Sequence, residues 1–151
     1  MVFLLVTSAT VFGHFMTVAS IPSEIAEWVG GLEVSRYVIF GFIWLGYLIG
    51  GCFVEGLALM IITVPVLYPV ILKLGFDPIW FGIMIVLFGE MAVITPPVGI
   101  NVYIIKGVAG DVPLETIFKG IFPFLAALFV CVVILLAFPQ IALFLPSFML
   151  W

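Results

Sequence analysis

The sequence predicts an all-α polytopic membrane protein. Three observations lead there. Of the 151 residues, 66% are hydrophobic and only 8% are charged, against about 25% charged in a typical soluble domain. Met1–Ser23, Tyr37–Val54, Gly56–Leu72 and Gly120–Trp151 carry no ionised side chain, and apolar runs of about 18 residues or more are the mark of bilayer-crossing helices. The runs are solid, whereas a transmembrane β-barrel needs alternating segments of ~10 residues.

The elements follow in order. Residues 1–20 make a first transmembrane helix. A signal peptide is disfavoured, because no Lys or Arg precedes the run and "TVASIPSE" is a poor cleavage site. His14, alone on this span, reads as a packed residue. Residues 22–32 form an interfacial helix. Ile25, Trp28, Val29 and Leu32 recur on one face, with Glu24 and Glu27 on the other, and Trp28 suits the headgroup level.

Residues 36–74 read as a re-entrant hairpin. Between its two apolar arms stand only Gly50-Gly51-Cys52 and Glu55, too little for an aqueous loop. An arm of ~16 residues rises about 24 Å, short of the ~30 Å hydrocarbon core. The alternative is an ordinary spanning pair with a tight external turn. Gly46-x-x-x-Gly50 would let the arms approach closely, and Pro65 and Pro69 kink the second arm. Residues 77–109 form a broken helix, started by Asp77-Pro78 and interrupted at Thr95–Gly99. Residues 111–119 make a short interfacial helix with acids in its first turn. Residues 120–138 are the last full span, and 139–151 an apolar tail.

Charge narrows the function. The net charge is −4 with no basic stripe, so nucleic acid is not a partner; the bilayer is. Arg36 and Lys73 fall at one membrane face and Lys106 and Lys119 at the other, so the positive-inside rule returns a tie. Cys52 and Cys131 are lone thiols outside any zinc or disulfide pattern. No Ser/His, paired-Asp or HExxH constellation supports an enzyme.

The chemistry concentrates where the helix breaks. Non-helical backbone survives at membrane depth only where protein or a watery cavity satisfies it. A break at Thr95-Pro96-Pro97-x-Gly99 frees carbonyls from one half-helix and N–H groups from the next. Transporters use such ends for cations and for anionic substrates. Thr95 adds a hydroxyl, Gly99 permits close approach to the backbone, and Asn101 adds an amide. The plainer alternative is a proline kink used for packing. Glu55 and Glu90 are intramembrane acids, each a functional candidate because such a group is costly in lipid. Glu55 has the alternative of capping the second arm, and Glu90 that of hydrogen-bonding a neighbouring helix.

Residues 51–109 carry a family resemblance. The pattern is Gly51-x-Phe53 with Glu55 two residues on, Pro65-x-x-x-Pro69, Gly75-x-Asp77-Pro78, Phe81-Gly82-Ile83 and Thr95-Pro96-Pro97-Val98-Gly99-x-Asn101, with "IFKGIFPF" downstream. In this order and spacing it resembles the second half of the large membrane subunit of tripartite ATP-independent periplasmic (TRAP) transporters, over essentially the whole chain. The resemblance implies the second inverted repeat of an elevator-type carrier, with Gly51–Glu55 as hairpin tip and Thr95–Gly99 as its partner break. It implies Na⁺-driven import of organic acids, C4-dicarboxylates or similar carboxylates, across a bacterial inner membrane. No cofactor is implied beyond Na⁺ as coupling ion, drawing on Gly51, Thr95 and Gly99. The implied partners are a small membrane subunit, a periplasmic substrate-binding protein and the N-terminal half of the large subunit, since the first repeat is missing here. The alternative function is a non-transporting scaffold or an inactive remnant of such a permease.

Overall fold

The computed structural model describes residues 2–96 and 99–149. Eight helices run through them, with no strand among the described residues: α1 (Val2–Val18), α2 (Ile21–Gly30), α3 (Arg36–Gly50), α4 (Gly56–Lys73), α5 (Pro78–Ile94), α6 (Ile100–Ala109), α7 (Leu114–Ala137) and α8 (Pro139–Ser147). α4 and α7 are long and apolar enough to cross a membrane, and α3 and α5 are shorter apolar helices. At 1.5 Å per residue α7 rises about 36 Å and α4 about 27 Å.

α5 is the hub. Glu90 apart, it is apolar all round, as befits a helix with many neighbours, and it packs against α3, α4, α6, α7 and α8. Its start is well specified: Pro78 occupies the first turn and Asp77 Oδ1 accepts from the backbone N–H of Ile79 at 2.8 Å and Trp80 at 3.1 Å. Trp80, Phe81, Met84, Ile85, Phe88 and Met91 from this helix form the core with Phe40 and Tyr47 of α3, Ile71 of α4 and Val132 and Leu135 of α7. Within it Phe40 packs on Trp80 and Phe88 with ring centroids 5.0 and 5.4 Å apart.

The hairpin is built differently from the close-packed pair that Gly46-x-x-x-Gly50 suggests. A Cβ on Gly46 would meet nothing within 4 Å, and only Gly50 faces the other arm, at Leu59. The arms are instead joined through side chains, because α5 packs against both. Tyr47, 3% exposed, donates its hydroxyl to Thr63, whose own hydroxyl donates to the Leu59 carbonyl at 2.7 Å. α4 continues as a helix through Pro65 and Pro69.

Other expectations need amendment. α7 is a single helix from 114 to 137, running through Gly120 and Pro123, where the sequence suggests an interfacial piece over 111–119 and a separate span from 120. Its packing against α5 and α6 outweighs the roughly 1 kcal/mol penalty of an interior glycine. α2 turns Pro22 and Ala26, with Ile25 and Val29 half-buried, toward the protein, while Trp28 is 70% exposed. His14 is exposed, not packed.

Prolines also leave carbonyls to be satisfied. Pro139 has no N–H to give the carbonyl four residues back, Leu135. That oxygen accepts instead from the Trp80 indole N–H at 2.8 Å, in the buried core. Thr7, Thr10 and Thr17 on α1 turn their hydroxyls onto the carbonyls of Phe3, Val6 and Gly13, which keeps polar side chains internally bonded in an apolar setting.

The clasp between the arms has an asymmetric signature. Thr63→Val leaves a buried Tyr47 hydroxyl without a partner and should cost about 1–3 kcal/mol, whereas Tyr47→Phe leaves Thr63 bonded to Leu59 and should cost about 1 kcal/mol. The double variant should be no less stable than Thr63→Val alone. Thermal unfolding of the detergent-purified protein checks the order.

Candidate functional site

The hairpin turn meets α5 in its last two turns, and small residues let it do so. A Cβ on Gly51 would collide with Ala92 Cβ, and one on Gly89 with Met60 Cε. A Cβ on Gly56 would lie 3.2 Å from Val93 Cγ1 and 3.6 Å from the Gly89 carbonyl oxygen. Glycine at 51, 56 and 89 thus brings the start of α4 onto the end of α5.

That approach creates a cleft of about 340 Å³ whose lining includes Glu55, Glu90 and Asn101. Three elements contribute its polar groups: the turn, α5 and the first turn of α6. Glu55 caps α4, with its two carboxylate oxygens accepting from Leu57 N–H at 3.3 Å and Ala58 N–H at 3.2 Å. The capping alternative is therefore realised, and the same carboxylate also faces the cleft. Glu90 is exposed on the cleft wall, one residue beyond the glycine on which α4 rests.

The remaining candidates sit elsewhere around the break. α5 ends at Ile94, with Thr95 extended at φ −75°, ψ 132°. The Thr95 hydroxyl donates to the Met91 carbonyl at 2.5 Å. Its side chain lines an apolar groove of about 430 Å³ with Trp44, Leu48 and Phe122, apart from the acidic cleft. Pro96 is exposed, and Pro97 lies outside the described residues. Gly99 is buried in the left-handed region at φ 50°, ψ 74°. There a side chain would be strained, and a Cβ would stand 3.0 Å from Val102 Cγ2 and 3.3 Å from the Ile94 carbonyl oxygen. Its own carbonyl starts α6, accepting from Val102 N–H at 2.8 Å.

The structure thus gathers Glu55, Glu90 and Asn101 into one cleft. Among the described residues lining that cleft, Gly51, Thr95 and Gly99 do not appear. Gly51 acts by packing on Ala92 and Gly99 by its backbone conformation. Sequence reasoning missed Gly56, Gly89 and Ala92, which seat the tip. Their signal was Gly89 and Ala92 standing three apart on one helix face opposite a Gly-rich turn.

A hairpin turn set against a broken helix, inside an apolar all-α chain, is the arrangement that the motifs from Gly51 to Asn101 describe. The family profile described as "Tripartite ATP-independent periplasmic transporter, DctM component" matches residues 1–141. The chain belongs to the DctM family of TRAP transporters. It is 37% identical over 95% of its length to the isethionate TRAP transporter permease protein DctMQ of Oleidesulfovibrio alaskensis. It is 34% identical over 99% of its length to the C4-dicarboxylate TRAP transporter large permease protein DctM of Pseudomonas aeruginosa. It is 35% identical over 97% to the sialic acid TRAP transporter large permease protein SiaM of Vibrio cholerae. The chain spans 22–35% of the length of these three relatives. The family and these relatives are named as transporter components and permeases, not enzymes.

In this DctM-family chain the seat of the tip is open to test at Cys52, the residue after Gly51. Gly51→Ala in a Cys131→Ser background should push the turn off Ala92, at a cost of about 1–3 kcal/mol for overpacking, and speed Cys52 labelling by a thiol reagent. Gly46→Ala, which meets open space, should leave the labelling rate unchanged.

Proposed function

We propose that this chain is part of the large permease of a Na⁺-coupled secondary transporter in a bacterial inner membrane, which it crosses several times. In this reading it forms the second inverted repeat of an elevator-type carrier, with 36–74 as a re-entrant hairpin. The imported solute is an organic acid, a C4-dicarboxylate or a similar carboxylate, handed over by a periplasmic binding protein. A small membrane subunit and the rest of the large permease complete the machine. The relatives named for C4-dicarboxylate, sialic acid and isethionate transport support a substrate that carries a negative charge.

The observation that carries the reading is the convergence of Glu55, Glu90 and Asn101 on one cleft beside the break between α5 and α6. Carboxylates in such a cleft favour a cation, while the N-terminal end of a half-helix favours an anion. A cation held by Glu90 and by carbonyls at the break would lower the cost of bringing a carboxylate substrate beside two acids. That is a physical basis for coupling: the bound cation offsets the repulsion that the anionic substrate would meet alone, and the substrate in turn favours the bound cation.

Uptake of radiolabelled C4-dicarboxylate into proteoliposomes tests this. The vesicles contain the whole permease, with the binding protein outside. Uptake should follow an inward Na⁺ gradient. Glu90→Gln should insert normally and lose Na⁺ sensitivity. Thr95→Val should leave the Na⁺ requirement unchanged, because Thr95 lines the apolar groove apart from this cleft; a rise of about tenfold to hundredfold, the worth of one lost oxygen ligand, would move the ion to the Thr95 side of α5. Pro96→Ala with Pro97→Ala should let the helix reclaim its carbonyls and abolish uptake. Wild-type Na⁺ dependence in Glu90→Gln removes that residue from the mechanism. Unchanged transport in the double alanine variant reduces the break to a packing kink, and no uptake by the unaltered assembly favours a non-transporting scaffold.

A further inference from the structure

Four chain segments meet at the end of the fold marked by Arg36: the start of α3, the turn between α4 and α5, the end of α7 and the start of α8. Between them lies a second, smaller cleft of about 180 Å³, whose lining includes Arg36, Asp77, Trp80, Leu136, Pro139 and Leu143. It combines one cation, one anion and an apolar wall.

Both charges are held in place by other groups. The Arg36 guanidinium carbon lies 5.1 Å from the Tyr37 ring centroid and 5.3 Å from that of Phe76, within cation–π range. A guanidinium N–H donates to the Tyr37 hydroxyl at 3.3 Å. Asp77 uses Oδ1 to cap α5, accepting from Ile79 and Trp80 N–H, and neither bond uses its Oδ2. The two residues line one small space, yet Arg36 bonds to Tyr37 and Asp77 to backbone rather than to each other. The cleft therefore presents separated charges of opposite sign.

Its location narrows the ligand. α4 and α7, both long and apolar enough to cross a membrane, end here at Lys73 and Ala137. Lys73 at the end of α4 and Arg36 and Tyr37 at the start of α3 are residue types that sit at a lipid–water boundary. A cleft of this size holds the liquid volume of about six waters, enough for a headgroup but not for a lipid.

We propose that this cleft binds the headgroup of a zwitterionic phospholipid bearing a primary ammonium. The phosphodiester takes guanidinium hydrogen bonds from Arg36, which matches phosphate geometry. The ammonium, with three donors, gives a hydrogen bond to Asp77 Oδ2. The glycerol and acyl chains leave over Leu136, Pro139 and Leu143. A quaternary ammonium has no N–H for Asp77, and an anionic lipid without an amine puts no positive charge there, so both fit less well. This site rests on the membrane setting alone and is separate from the transport cleft.

The test uses the complete permease, delipidated in detergent and titrated with short-chain phosphatidylethanolamine, phosphatidylcholine or phosphatidylglycerol, with bound lipid read by native mass spectrometry. The first should bind about fivefold more tightly than the other two, the worth of one charged contact near the surface. Asp77→Asn keeps the cap, since Asn caps a helix as well as Asp does, and should erase the preference. Arg36→Gln should weaken all three lipids about fivefold. Equal binding of the three lipids, or an unchanged preference in Asp77→Asn, overturns the assignment. Water-soluble phosphoethanolamine that competes as well as the lipid makes the ligand a free phosphate ester and overturns the lipid source. Loss of the small subunit in Arg36→Gln, without change in bound lipid, makes the cleft a protein contact instead.

Discussion

The close approach of the hairpin turn to the last turns of α5 is the constraint on which the rest depends. Gly51 against Ala92, Gly56 against Val93 and Gly89 against Met60 are contacts that a single extra methyl group would disturb. They bring the N-terminus of α4 within reach of the break that follows Ile94. Without them Glu55 would cap its helix somewhere else, and Glu90 would stand alone on an apolar wall. The small residues make the cleft by what they leave out, and the acids give it its charge.

A second constraint is the backbone itself. A membrane removes water as a default partner, so each polar group freed by a proline or a helix end must be met inside the protein. Several are met by side chains reaching from another element or along their own. Trp80 takes over the Leu135 carbonyl that Pro139 leaves unbonded, and so ties the start of α5 to the end of α7. Lys106 donates to the carbonyls of Gly110 and Val112 at 2.5 and 2.8 Å, closing the C-terminal end of α6 where a cation also suits the helix dipole. The Thr95 hydroxyl on the Met91 carbonyl belongs to the same set. Packing and hydrogen bonding thus arrive at the same places on either side of the break between α5 and α6.

Much of this was legible in the sequence, because composition and chain breakers act locally. The all-helical apolar class, the turn over 51–55 and the interruption after Ile94 follow from solid apolar runs broken by glycine and proline. What was hidden depends on which way a helix faces. Gly46 and Gly50 have the spacing of a close helix pair, but α5 takes up both arms and leaves Gly46 in open space. Trp28 and Ile25 share an apolar stripe, yet where α2 packs on α4 it is Pro22 and Ala26 that are buried and Gly30 that approaches Lys73, while Trp28 faces outward. Gly120 looked like a boundary because the charge-free run opens there after Lys119, but packing of α7 on two neighbours makes one helix of both sides. Each of these is a long-range contact that no local pattern encodes.

The same distinction explains how the site candidates divided. Residue type was a sound guide to chemistry: of the polar side chains expected near the break, both acids and Asn101 converge on one cleft. It was a poor guide to the position of the glycines, because they work through backbone shape. Gly99 accepts a left-handed conformation and starts α6 with its carbonyl, while Gly51 yields space to Ala92. Thr95 lies between these cases. As a free hydroxyl it looked like a ligand, but one helical turn back there is always a carbonyl for it to bond, and it does so. Its hydroxyl proton is thereby committed to its own helix, and its side chain lines the apolar groove with Trp44 and Leu48 rather than the acidic cleft, so a residue type suited to binding serves here to satisfy a helix end.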